Sequence, residues 1–331
     1  MHTLPLWHWC DPVGLGSLHR CLRRLRPDIL HSHTPRDYYL SAAATVGLPI
    51  RNVGTRHQLL PIGHSRLKRP FLKRFAAMIA VSEAVRDGLV VSGIHVRRVV
   101  TVPNGVEAAE SGDPPLELRG QLGLPVSTGP VIGCVGMLSP AKGQDILLWA
   151  ASLLRGRWPG LQVVLIGGET GRQRFAAKLR TMAQELGLSV TFAGYRERAA
   201  SLLPALDMLV LPSRAEPFGL VTAEALAHGV PVVATRSGGS REIVRDGREG
   251  LLVAPDDPEA LAGAIGRLLS DHQLWERCHQ AGPQRVASHF SLTRQVAQTE
   301  RVYNLVLAGA EMPQEGRMGT AQTNPDRSDA F

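Results

Sequence analysis

Cysteine is scarce in this sequence, with four in 331 residues: Cys10, Cys21, Cys134 and Cys278. None pairs with another at a metal-ligating or redox spacing, which argues against a disulfide scaffold or a zinc module. Scattered single thiols behave as small buried hydrophobes and fit a reducing compartment. No apolar run reaches the length that spans a bilayer, and Met1-His2-Thr3-Leu4-Pro5 does not open like a secretory leader. These absences lead to a cytoplasmic reading. No Asp-x-Asp occurs, and no His, Cys or carboxylate cluster has ligand spacing, so no metal site is expected. A Gly-x-Gly-x-x-Gly after a strand, a phosphate-cradling Gly-Lys-Ser/Thr loop and a Gly-x-Ser-x-Gly elbow are missing too.

What is present reads as a soluble α/β protein: 44% hydrophobic, 5% aromatic, with a formal charge of +8. Residues 1–120 hold 16 Lys and Arg against 9 Asp and Glu, so nearly all the excess is N-terminal. Its densest part is Arg66, Lys68, Arg69, Lys73 and Arg74, which suits either a solvated helix face or a surface for anionic lipid headgroups. Nucleic acid is not expected, because the cluster comes with no nucleic-acid-binding module.

Along the chain, short apolar runs alternate with helical patterns, which argues parallel sheets covered on both faces. Leu4–Trp9 reads at most as a strand end; strands are expected at Asp28–His33, Ile50–Thr55, Met78–Val81 and Val99–Val102, with a basic helix over Leu67–Phe75. Ala108–Thr128 reads as a Gly-, Pro- and acid-rich linker. A second set of strands follows near Val131, Leu161, Val190, Asp207, Val232 and Leu251, and helices close the chain over Pro258–Ser270, Gln273–Ser288 and Leu292–Leu307. The polar, aperiodic segment 311–331 reads as disordered.

The most informative stretch is Arg214-Ala215-Glu216-Pro217-Phe218-Gly219-Leu220-Val221-Thr222-Ala223-Glu224. A strand ends just before it, a helix is expected to start near Pro217, and Gly229 then Pro231 close that helix. A helix mouth offers free N–H groups and a positive dipole end, so it suits a diphosphate, and Gly219 lets a ligand approach the backbone. Glu216 and Glu224 stand eight residues apart. Together with Gly229-Val230-Pro231-Val232-Val233-Ala234 and Gly238-Gly239, the run resembles the Glu-x7-Glu signature of retaining glycosyltransferases of family 4. The N-terminal runs Asp28–His33, Gly54–His57, Ala80–Val85 and Val102–Val106 resemble that family in order and spacing.

The resemblance implies the GT-B architecture: two Rossmann-like parallel-sheet domains facing a cleft. The first would cover residues 1–112 and be completed by helix 292–308; the second, residues 125–290, would bind a nucleotide-sugar. Family members begin with a strand and glycine-rich loop that this chain does not show, so the first domain is expected to be incomplete and the chain N-terminally truncated. The implied activity is transfer of a sugar to a hydroxyl of a lipid-linked, polysaccharide or other cell-envelope acceptor, at the inner face of the cytoplasmic membrane, without a cofactor or metal. A catalytically impaired nucleotide-sugar-binding protein is the alternative, with an epimerase or phosphorylase behind it.

Carried over by position, Glu216 would contact the donor sugar and Glu224 the ribose. Gly136 and Lys142 would hold the diphosphate, and Phe218, Gly219, Leu220 and Val221 would line sugar and phosphate. His57 matches a histidine facing the donor sugar; Arg56, His31 and His33 read as acceptor-side or structural groups, and Arg196 as either a residue near the base or a surface residue. Met137 stands where the family carries an arginine. A bidentate phosphate contact is thereby lost, worth about 1–3 kcal/mol.

Overall fold

A computed structural model describes residues 11–60, 62, 69–108, 113–125, 129–169 and 174–313. The expected strand end at Leu4–Trp9 and the side chains of Arg66, Lys68 and Arg69 lie outside this description, as does the tail from residue 314. Two compact units emerge: residues 1–102 with 297–331, and residues 103–296.

The first unit is built on four parallel strands in the order β1-β2-β3-β4: Ile29–Ser32, Arg51–Arg56, Phe75–Ala80 and Val99–Thr101. Helices α1 (Pro12–Leu25), α2 (Pro35–Ala44), α3 (Arg69–Leu72) and α4 (Glu83–Val91) connect or flank them. Side-chain oxygens of Asp11, Thr34 and Ser82 cap α1, α2 and α4 by accepting first-turn N–H groups, which fixes where each helix starts. Alternate residues of the strands, Val53, Ala77, Ile79 and Val100, pack with Val302, Val306 and Met312 from the C-terminal part of the chain. The expected basic helix at Leu67–Phe75 is shorter, because Phe75 already opens β3 and is buried beneath Tyr38.

The second unit has six parallel strands, β5 (Val131–Val135), β6 (Gln162–Ile166), β7 (Ser189–Gly194), β8 (Met208–Leu211), β9 (Val232–Thr235) and β10 (Gly250–Val253), in the order β10-β9-β8-β5-β6-β7. Their near-continuous Val, Leu and Ile runs are buried, as a sheet covered on both faces requires. Helices α5 (Pro115–Gln121), α6 (Gln144–Leu154), α7 (Phe175–Glu185), α8 (Leu220–Ala227), α9 (Ser240–Ile243), α10 (Pro258–Ser270) and α11 (His272–His289) complete it, and α12 (Leu292–Leu307) runs on into the first unit.

Three expectations are corrected. The segment read as a linker holds α5, whose Leu118 and the following Leu122 form a buried i, i+4 pair that its Gly, Pro and acidic content obscured. Helix α8 starts at Leu220, not near Pro217: Gly219 takes a left-handed φ of 97°, so Pro217 and Phe218 stay in the preceding loop. The tail is ordered at its start, where Met312 is buried and its N–H donates to the Arg97 carbonyl (3.1 Å).

Candidate functional site

In the second sheet the chain leaves β5 toward β6 and β7, then returns to lay β8 on the other side of β5. The loops after β5 and β8 therefore diverge, and a crevice at the carboxyl ends of such strands is where open α/β sheets take ligands. Gly136, Met137 and the 3-10 turn Pro140–Lys142 follow β5; Ser213, Arg214 and Glu216 follow β8. Lys142 Nζ donates to Glu216 Oε2 at 2.7 Å, and Ser213 Oγ donates to the same oxygen at 2.9 Å. The Glu216 side chain is 6% exposed and that of Lys142 26%, so the pair is shielded yet reachable from the Lys142 side. Two of the three ammonium donors of Lys142 remain for another oxygen.

The two loops are tied together by residues that the sequence pattern did not single out. The Arg214 N–H donates to the Ala141 carbonyl at 2.9 Å, and its guanidinium donates to the Pro140 carbonyl, to both oxygens of Asp145 (3.0 and 3.1 Å) and to Asp256 (2.6 Å). These hydrogen bonds raise the Arg214 pKa further, with Asp145 the largest cause. Gln144 closes the β5 loop on itself, donating to the Met137 carbonyl at 3.0 Å. On the far side, the Gly239 N–H donates to the Glu216 carbonyl at 2.9 Å, and a Cβ at Gly239 would lie 2.6 Å from Phe218 Cα. The signal available in sequence was Arg214 itself, a long cation two residues from a buried carboxylate.

Phe218 is buried against Phe290 with ring centroids 6.0 Å apart, so its backbone, not its ring, is what the loop offers a ligand. Leu220, at the mouth of α8, is exposed, and Glu224 lies one turn further on the same face. Glu224 is half-buried, and burial pushes its carboxyl above the ordinary range; its carboxylate has no hydrogen-bond or ion-pair partner among the described residues. A desolvated acid without compensation, at a helix mouth beside a crevice, is a candidate for contact with a ligand. Folding favours its protonated form, so the cost of the charge is absent at pH below the unfolded value and grows as pH rises through the raised folded one. Glu224→Gln is therefore expected to raise the thermal midpoint of the protein at neutral pH and not at acid pH. Scanning fluorimetry at both pH values checks this; an unchanged neutral midpoint would refute it.

Behind the site, Cys134 on β5 is fully buried and its thiol is pushed up to about 12, so it is packing and not a nucleophile. Met137 is 43% exposed, beside the pair but without a charge to offer. Arg196 follows β7, two strands away from β5, and its guanidinium meets the Gln121 carbonyl only at 3.5 Å.

In the first unit the carboxyl ends of β1 and β2 bring together His31, His33 and His57. His31 and His33 stack at 4.3 Å, and His33 Nδ1 lies 3.3 Å from His57 Nε2. Burial, with His33 and His57 nearby, lowers the His31 pKa to about 4, so its ring is neutral and bridges Tyr303 Oη (2.6 Å) and Thr55 Oγ1 (2.7 Å). The His57 pKa is also lowered, by burial first and then by His33 and Arg56. Arg56 is buried and donates to the Leu60 carbonyl, a structural use of its guanidinium.

Comparison with known proteins matches a family model described as Glycosyltransferase Family 4 over residues 3–110, and another described as Glycosyl transferases group 1 over residues 129–271. The chain is 35% identical over 322 residues to a D-inositol 3-phosphate glycosyltransferase of Corynebacterium urealyticum, covering 87% of this chain and 73% of that one. It is 37% identical over 274 residues to the protein of the same name in Acidothermus cellulolyticus, of whose length it spans 59%. Among solved structures, Anabaena Alr3699/HepE in complex with UDP and glucose superposes with a TM-score of 0.80 at 26% identity, covering 88% of this chain and 81% of that one.

Proposed function

The chain belongs to glycosyltransferase family 4, and on that premise we propose that it is a retaining transferase moving a sugar from a nucleotide-diphosphate donor to a hydroxyl acceptor. The observation that carries this reading is the 2.7 Å pair of Lys142 and Glu216 at the divergence of β5 and β8, beside the mouth of α8. As the bond from the anomeric carbon to the diphosphate breaks, negative charge builds on the leaving group. Lys142 and the first N–H groups of α8 are the donors placed to meet it. The acceptor oxygen bonds to the same face of the anomeric carbon and its proton passes to the departing diphosphate. Glu216 is assigned to the sugar hydroxyls through Oε1, Glu224 to the ribose, Gly136 and the backbone of Gly219, Leu220 and Val221 to phosphate and sugar, and His57 to substrate in the first unit. With the cation supplied by Lys142, the transfer is proposed to need no metal.

UDP-sugars are the first donors to try, since Alr3699/HepE is a UDP and glucose complex. For the acceptor, a glycan or lipid-linked hydroxyl at a membrane surface remains the primary proposal, with exposed Lys73 and Arg74 on the basic side of the first unit; no helix among the described residues is long and apolar enough to cross a membrane. A second reading, a small phosphorylated cyclitol, is favoured by the name shared by the relatives at 35–37% identity. Calorimetry with UDP, GDP and ADP, then transfer assays with UDP-sugars to inositol phosphate and to lipid-linked glycan, test all of these. Saturable UDP binding with transfer that persists in EDTA is expected. UDP binding without transfer to either acceptor would favour the alternative of a nucleotide-sugar-binding protein weakened by Met137, and no nucleotide binding at all would sink both.

A further inference from the structure

The first unit has a second concave surface, at the opposite end of its sheet from the histidines. Its strands are parallel, so their amino ends lie together: Arg51 opens β2, Phe75 opens β3, and Arg97 and Arg98 directly precede β4. A cavity of about 900 Å3 opens there, within the range of ligand pockets. Its floor is apolar, with Leu72, Phe75 and Val306 all buried. Its walls carry Arg51, Lys73, Arg74, His95, Arg97 and Arg98, and Glu311 is the single acidic residue that lines it.

Five permanent cations around one cavity repel one another. Arg98 alone has a structural use, donating to the Lys73 carbonyl at 2.6 Å and binding the approach to β3 against that to β4. Arg97 is met by Glu311 with both oxygens at 3.0 Å, but the two side chains are 57% and 65% exposed. A pair so open to water contributes little and is easily displaced. Arg51, Lys73 and Arg74 are exposed and their side chains have no partner among the described residues.

We propose that this groove is a binding site for a ligand bearing two or more phosphate groups. Guanidinium forks pair bidentately with phosphate, and several of them converging on one cavity match clustered phosphates better than a single carboxylate. The ligand is either a free polyphosphorylated metabolite or the headgroup of an anionic lipid; the chemistry recognised is the same. It is not the ligand of the histidine end, because the six residues of β2 separate the two ends by about 20 Å. The inference does not rest on the transferase reading.

The test uses the full chain saturated with UDP, sodium tripolyphosphate as the soluble probe, and phosphatidylglycerol vesicles against phosphatidylcholine vesicles as the membrane probe. Calorimetry gives affinity, and hydrogen exchange gives location. Tripolyphosphate is expected to protect amides around Ser92–Val99, to bind less tightly as salt rises, and to lose at least about tenfold in affinity in Arg51→Gln/Arg74→Gln. UDP affinity and thermal midpoint stay unchanged in that variant, which separates failure here from failure of the donor site. Vesicle binding lost in the same variant assigns the ligand to a lipid headgroup; tripolyphosphate binding without vesicle binding assigns it to a free metabolite. Wild-type affinity for both probes in the double variant, protection confined to residues 213–220, or binding of neither probe overturns the proposal.

Discussion

Glu216→Gln is expected to lower kcat/KM for sugar transfer about 100- to 1,000-fold, because it loosens Lys142, the cation proposed to meet the charge developing on the diphosphate, and losing one such preorganised group costs about that much. The substitution keeps the size of the side chain but trades a carboxylate for an amide beside Lys142. The amide oxygen can take the place of Oε2 and still accept from Lys142 and Ser213, but the ammonium loses its opposite charge, and N–H2 replaces Oε1, the atom assigned to the sugar hydroxyls. Lys142→Ala is expected to reduce kcat/KM comparably, but with a different stability profile. It strands a carboxylate whose side chain is 6% exposed, with Ser213 Oγ as its remaining donor. Removing one partner of a shielded pair costs more than removing both, about 3–5 kcal/mol in fully buried cases and less here because Lys142 reaches solvent. The double variant Lys142→Ala/Glu216→Gln is thus expected to be more stable than Lys142→Ala alone. Denaturant unfolding of the four proteins of the cycle, run beside the transfer assay, measures this. A double variant less stable than either single one would mean that the two residues do not act as a pair.

How much of this was legible beforehand depends on the distance between partners in the chain. Glu216, Phe218, Gly219 and Glu224 lie within nine residues, so their arrangement on one loop and one helix mouth could be read from local pattern. The strand pattern also read well, since the parallel strands are buried apolar runs with little ambiguity of face. Arg214 could not be read that way: its partners Asp145 and Asp256 are 69 and 42 residues away, and only the order β10-β9-β8-β5 brings them to it. The same holds for His31, whose pKa is lowered by burial first and then by His33 and His57, and whose ring meets Tyr303, 272 residues later. Helix α5 was hidden for another reason. Its Pro114-Pro115 start and acidic flank look like linker composition, and a single apolar pair, Leu118 and Leu122, buries it. The misplaced start of α8 has a conformational cause, because proline is equally at home in a loop and at a first helical position, and the left-handed Gly219 decided between them.

Gly143→Ala is expected to be among the most disruptive single-methyl changes in the second unit. Gly143 follows Lys142 directly and has a φ of 68°, a left-handed conformation that costs a non-glycine residue about 1 kcal/mol or more. A Cβ there would also lie 2.0 Å from the Pro212 carbonyl oxygen, and that atom is backbone, so it cannot swing aside. The chain can relieve the overlap only by parting the loop after β5 from the loop after β8. That parting breaks the Arg214 N–H to Ala141 carbonyl bond and the guanidinium bonds to Pro140 and Asp145, because all of them cross the same seam. Overpacking of this kind costs about 1–3 kcal/mol beyond the conformational term. A lower unfolding midpoint and a raised donor KM are expected together, since opening the seam moves Lys142 away from Glu216. Arg214→Ala cuts the same seam without touching Gly143, and is expected to raise donor KM while leaving the left-handed turn unstrained. Its stability loss should be the smaller of the two. If Gly143→Ala kept wild-type stability and donor KM, the seam would not be what positions Lys142, and the pair would have to be held by Ser213 and Gly239 alone.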